Sequence, residues 1–242
     1  MNLFDKLHMQ LRFRRYRRRK EAEEIRFMQS LPLSGQTVID IGANKGVYSY
    51  WMSRAVGPEG RVIAFEPQPE LEKHLQDVMA GFSLSNVELV TRALSAQPGD
   101  TPLYRRSAGA GDASFEAMPD TEAISVPCTT LDVFAAESGL GKVAYIKCDV
   151  EGHELAVMQG AEQLLKSTSP VLQVECHHRE AGQGKLFDFL SGLGYEGFFL
   201  HDGRRIACRE FNRYPCRKVT TDHRNYLFVR TVPRTTETNP GG

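Results

Sequence analysis

The period of the apolar positions changes several times along this chain, and each change marks an element. Residues 1–31 have helix-forming composition: Leu3, Leu7 and Leu11 recur at fourfold spacing, with Phe4 and Phe13 adding to the apolar side. Pro32 and Gly35 end that helix. From Thr37 onward short apolar runs alternate with amphipathic stretches. Residues 38–41, 61–65 and 86–90 read as three strands, with helices after Gly46 and over 69–79. Strand, helix, strand, helix, strand at this spacing predicts a parallel sheet with right-handed crossovers.

Between residues 93 and 127 the pattern weakens to a turn, one short strand at 101–106 and a glycine-rich loop. Order resumes where Thr130 or Asp132 can cap a short helix. A fourth strand at 142–148, a loop and a helix follow, then a fifth strand ending in His177-His178, a further helix and two last strands. Residues 231–242 have no apolar period and read as a disordered tail. The chain thus divides into a basic helix over 1–31, one α/β domain over 32–230, and the tail.

Charge sharpens the picture at one end. The net charge is zero, yet residues 1–20 hold eight Lys or Arg against the single acid Asp5, leaving 22 basic and 29 acidic residues for the rest. An arginine-rich helix with a leucine stripe suits an anionic membrane surface or an acidic polymer. The alternative is a solvated helix packed loosely on the domain. The five cysteines are odd in number and form no CxxC pair, which predicts a reducing compartment, no disulfide framework and no zinc site. No run approaches a membrane span, and the charged residues after the basic start do not suit a secretion signal. The expectation is a cytoplasmic protein, with peripheral contact at the inner face of the membrane through residues 1–20.

The chemistry centres on VIDIGANKGVYSYW, residues 38–51, a strand, a glycine turn and a helix start. Asp40, Glu66 and Asp149 each sit at the C-terminal end of a predicted strand, where open parallel sheets bind their ligands. Glu66 follows the glycine turn at the distance of an acid that holds a ribose hydroxyl pair. The turn GANKG lacks the middle glycine of a dinucleotide fingerprint, and no GxxxxGK[ST] phosphate loop is present. A nucleoside cofactor without phosphates, S-adenosylmethionine, fits this better. Carboxylates tolerate its ammonium and sulfonium charges.

The blocks VIDIGANKGVYS, FEPQP, IKCDVEGHELAVMQGA and VECHH together resemble the FkbM family of S-adenosylmethionine-dependent methyltransferases over residues 37–200. The resemblance implies a Rossmann-like class I fold, a seven-stranded, mostly parallel sheet ordered 3-2-1-4-5-7-6 with strand seven antiparallel. It also implies O-methylation of a hydroxyl, often on a sugar, glycan, glycolipid or natural product. Carried over by position, Asp40, Gly42, Ala43, Asn44 and Gly46 match the cofactor turn, and Glu66 matches the ribose acid with Pro67 shaping its loop. Ala93 and Leu94 stand where backbone lies near the adenine, although Thr91 and Arg92 replace an acid common in the broader class. Ser114 is placed over the cofactor.

Asp149, Glu151 and His153 follow the fourth strand, and Glu175, His177 and His178 end the fifth. Methyl transfer needs alignment and a base for the acceptor proton, a role suited to histidine at neutral pH. Alternation along a strand turns His178 away from His177, and His177 is preferred over His153 as that base. Asp149 orients the substrate or a histidine, while Glu151 either contributes to catalysis or shapes its loop. A divalent metal held by Asp149, Glu151 and His177 is the weaker alternative. Tyr48, Tyr50 and Trp51 read as core. Two other functions compete. A nucleic-acid methyltransferase is prompted by the arginine run, but CDVEGHE stands where an [ND]PP[YFW] base-methylation loop belongs. A non-catalytic cofactor-binding module is opposed by the intact Asp40, Gly42, Glu66 and Asp149.

Overall fold

The computed structural model describes residues 2–117, 119–214 and 223–230; the expected tail at 231–242 and Cys216 lie outside the described residues. Among the described residues eleven strands are formed: β1 (Thr37–Ile41), β2 (Arg61–Phe65), β3 (Val87–Val90), β4 (Ala93–Leu94), β5 (Gly99–Arg105), β6 (Glu122–Thr129), β7 (Val143–Cys148), β8 (Val171–His177), β9 (Tyr195–His201), β10 (Arg204–Ala207) and β11 (His223–Arg230). The main sheet runs β3-β2-β1-β7-β8-β11-β9-β10. Strands β3, β2, β1, β7 and β8 are mutually parallel, and β11 is antiparallel to both β8 and β9.

That is the order expected from the family resemblance, with one strand more. The eighth strand, β10, doubles back from β9 through Asp202-Gly203, both at positive φ (51° and 77°), with Arg204 paired to His201. A two-residue Asp-Gly connection of this kind builds a tight hairpin. The weakly patterned stretch after β3 also gains order. It forms a small second sheet, β4-β6-β5, whose strands expose most of their alternate residues and so carry little apolar signal.

Two-residue alternation splits the central strands between two cores. Ile39, Ile41, Ile63, Phe65 and Ile146 face one, while Val38, Val62, Ala64 and Tyr145 face the other. Each buried Val, Ile or Phe among these contributes roughly 1.5–3 kcal/mol, which holds the strand ends of the sheet in fixed register.

The N-terminal segment is not one helix. Helix α1 (Leu3–Arg15), capped by the Asn2 side chain, widens into a π-helical turn at Tyr16–Lys20 and breaks at Glu21 (φ −131°, ψ 47°) before α2 (Ala22–Ser30). The wide turn and break reset the helical phase. Met9 and Phe13 of α1 and Ile25 and Met28 of α2 thereby all enter the core on the side of Val38. Helix α3 (Val47–Val56) receives them: Phe13 stacks on Tyr50 at 4.2 Å between centroids, and its carbonyl accepts from Trp51 Nε1 at 3.2 Å. The segment is docked rather than loosely packed. Phe13 points inward, away from Leu3, Phe4, Leu7 and Leu11, which are 54–84% exposed and do not share its side of the helix. Among the described residues no helix is long and apolar enough to cross a membrane.

Candidate active site

At the end of β1 the chain turns through Gly42 and Gly46, at φ +78° and +75°. A Cβ on Gly42 would lie 1.9 Å from the Asp149 carbonyl oxygen, so only glycine lets this turn approach the end of β7. The Asn44 N–H donates to Glu66 Oε2 at 2.8 Å and the Gln68 N–H to Oε1 at 3.0 Å. Burial raises the pKa of Glu66, against those two donors. Glu66 lines a cleft together with Gly42, Asn44, Pro67 and Gln68, and a carboxylate oxygen can accept more than one hydrogen bond. Gln68 donates through Nε2 to the Ala110 carbonyl, and its buried Oε1 has no hydrogen-bond partner among the described residues.

A second cavity of about 260 Å³ opens between the C-terminal ends of β1 and β7, where the sheet reverses its winding. Asp40, Asp149, Glu151, Glu175 and Glu21 line it, with Lys147 and His223 among them. Lys147 Nζ donates to Asp149 Oδ2 at 2.7 Å; burial alone would lower its pKa, but Asp149, Asp40, Glu21 and Glu175 hold the ammonium charged and raise it. Burial pushes Asp149 up to about 6, Glu151 up to about 7 with Asp149 adding repulsion, and Glu21 up to about 7. Asp40 accepts from Ser49 Oγ at 2.6 Å through Oδ2, while its buried Oδ1 has no partner among the described residues. An excess of carboxyl groups around one lysine favours a positively charged ligand over a negative one.

The floor of this cavity is a buried polar network. Tyr48 OH donates to Glu21 Oε2 at 2.6 Å and accepts from Gln173 Nε2 at 2.6 Å; Gln173 also donates to Asn225 Oδ1 and accepts from Tyr145 OH. Tyr48 is therefore core and cavity wall at once.

The fold brings together Asp149, Glu151, Glu175 and His177, with His223 as a further member. His177 Nε2 lies 3.6 Å from Glu151 Oε2, and His223 Nδ1 lies 3.7 Å from that oxygen and 3.6 Å from Glu175 Oε1. Its contact with Glu175 raises the His223 pKa. His178 is not in the strand but begins a helix, with its ring 4.9 Å from that of Phe211. His153 turns elsewhere: its Nε2 is 2.8 Å from Ser95 Oγ and its ring lies on Phe115. Neither His153 nor His177 lines either cavity, but His177 reaches Glu151, which does. Ala93 and Leu94 pair with Cys128 and Thr129 in the small sheet and also line neither. Gly46 starts α3, and Ser114 Oγ donates to the Glu151 carbonyl at 2.8 Å. Glu154 closes the loop, accepting from the Val150 and Gly152 N–H groups. Lys147, His223, Gln68 and the N-terminal Arg12, Tyr16 and Glu21 were not legible as site residues; only Lys147, a lone charge in an apolar strand, carried a signal.

Residues 40–196 match the Methyltransferase FkbM domain, about two thirds of the chain. The chain belongs to the FkbM methyltransferase family. It is similar to the hexuronic acid methyltransferase AglP of Haloferax volcanii, 28% identical over 171 residues that cover 66% of this chain and 63% of that protein. It is also similar to the methyltransferase sdnD of Sordaria araneosa, 26% identical over 161 residues, covering 54% and 62%. The match spans a little under two thirds of each curated relative. The crystal structure of methyltransferase FkbM from Methylobacillus flagellatus superposes with a TM-score of 0.56 at 17% identity, over 82% of this chain and 45% of that one, and shares the fold.

The methyl donor of this FkbM methyltransferase is S-adenosylmethionine. The residues present fit it: Glu66 for a ribose diol, the partnerless Asp40 Oδ1 and Gln68 Oε1 for donor groups, and the carboxyl-rich cavity for its positive charges.

Proposed function

We propose that this FkbM methyltransferase methylates a hydroxyl group of an acidic sugar or glycan. The observation that carries the reading is the convergence of His177 and His223 on Glu151, which with His223, Asp40 and Lys147 lines the cavity. When bound, S-adenosylmethionine supplies a methyl group made electrophilic by its sulfonium sulfur. Glu66 would hold the ribose hydroxyls, and the Gly42–Gly46 turn with Asp40 would hold the amino-acid end. Asp149, fixed by Lys147, would orient the acceptor, and His177 Nε2 would take the hydroxyl proton as the new O–C bond forms.

The acidic character of the acceptor is supported by the cavity rim. Arg12 and Lys45 line it, and the buried Arg12 Nε has no hydrogen-bond partner among the described residues. A guanidinium placed so is suited to a sugar carboxylate. The name of one relative, a hexuronic acid methyltransferase, agrees with such a substrate.

The test is label transfer from isotopically methyl-labelled cofactor to paired neutral and uronic glycosides. The expected result is an O-methyl product on the acidic sugar, with Arg12→Ala raising KM for it by about tenfold and leaving KM for the neutral sugar unchanged. Equal use of both sugars by the native protein would discard the acidic acceptor.

A further inference from the structure

We propose that α1 seats the protein on an anionic lipid bilayer, so that a sugar acceptor carried at the membrane surface reaches the cavity. The first observation is that α1 has two apolar faces. Met9 and Phe13 fill the inner one. Leu3, Leu7 and Leu11 repeat every fourth residue on the outer one beside Phe4. These four are 84%, 54%, 56% and 77% exposed, and Val133 is the only other exposed large apolar side chain among the described residues. Packing on the domain accounts for the inner face and leaves the outer stripe unused.

Charge decides what the stripe fits. At 100° per residue, Arg14 continues the leucine stripe one turn beyond Leu11, Arg15 lies beside it, and Arg17, Arg18 and Arg19 follow in the next turn, all exposed. Asp5 is the only acid before Glu21. A second copy of the chain would bring one arginine cluster against another, which repels. An anionic headgroup layer neutralises the arginines while its acyl boundary receives the leucines.

The second observation ties the stripe to the site. Helix α1 cannot pivot freely, because Phe13 is buried against Tyr50 and Arg17 lies over the Trp51 ring at 4.9 Å. Arg12 and Tyr16, one turn apart on the same segment, form part of the cavity wall. Seating the outer face therefore places the cavity within about one helix diameter, roughly 10 Å, of the bilayer surface. The acceptor class this implies, a lipid-borne sugar, rests on the function proposed above; the membrane contact does not.

The full chain is sedimented with vesicles of phosphatidylcholine alone and of phosphatidylcholine mixed with phosphatidylglycerol, without acceptor. The expected result is binding to the mixed vesicles only, weakened at least about tenfold in Leu7→Asp/Leu11→Asp. That variant should keep its circular dichroism and its calorimetric affinity for S-adenosylmethionine. No binding to mixed vesicles, or binding that the double variant retains in full, overturns the proposal. So does a native dimer that the double variant splits without any vesicle binding, which would assign the stripe to a second copy. Vesicle binding is read without turnover, so a failed acceptor assignment leaves it standing.

Discussion

His177 and His223 stand directly opposite one another on the antiparallel strands β8 and β11, with ring centroids 3.9 Å apart. The pairing gathers two imidazoles against one carboxylate, Glu151; His223 and Glu151 line the cavity, and His177 stands behind them. With His177 as the base, His177→Ala is expected to lower kcat by about 10²–10⁴-fold while cofactor affinity stays the same. His153→Ala, whose ring faces Ser95 and Phe115, should keep near-native turnover. Label-transfer kinetics on both variants give the answer, and the opposite pattern would move the base to His153.

Glu66 is met by two backbone donors that hold its carboxylate at the cleft wall. If it takes the ribose hydroxyls, Glu66→Ala should weaken S-adenosylmethionine binding by about 10²–10⁴-fold, the worth of a pair of hydrogen bonds to a charged group. Titration calorimetry measures this directly. Unchanged affinity would remove Glu66 from the cofactor site.

Much of this site could be read from the chain, and the parts that could not share a cause. The β1 turn and β2 end were legible because apolar runs stop at glycines and at Glu66-Pro67, local signals that need no tertiary information. His223 was not, because only the pairing of β11 with β8 brings it beside His177. Strand β10 is a polar edge strand whose one signal, Asp202-Gly203, lies outside any apolar run. Phe13 was grouped with the leucines because spacing alone does not say which of two faces a docked helix turns inward. The same ambiguity hid Arg12 and Tyr16, whose place in the cavity depends on the docking of α1.

The donor atoms of Glu151, His177 and His223 all lie within 4.8 Å of one another, a geometry that also suits a divalent cation. The base assignment predicts that dialysis against EDTA leaves turnover unchanged and that added Mn²⁺ or Mg²⁺ does not raise it. Activity lost to the chelator and restored by either ion would make the trio metal ligands and withdraw His177 as the base.

Glu154 offers a stability test separate from catalysis. Burial pushes its pKa from 4.5 up to about 8, so the folded protein keeps this carboxyl protonated where the unfolded chain has ionised it. The favourable balance is complete below pH 4.5, shrinks as pH rises, and is gone above about 8. One pKa unit is worth about 1.4 kcal/mol, so the loss across the shift from 4.5 to about 8 is on the order of 5 kcal/mol, roughly ten degrees in Tm. Glu21 and Glu151, raised to about 7, add losses of the same sign. Glu154→Gln keeps an acceptor for the Val150 and Gly152 N–H groups but cannot ionise. Calorimetric melting should therefore show a smaller fall in Tm between pH 5 and 8.5 for the variant than for the native chain. An equal fall would mean that those two donors hold Glu154 ionised within the fold.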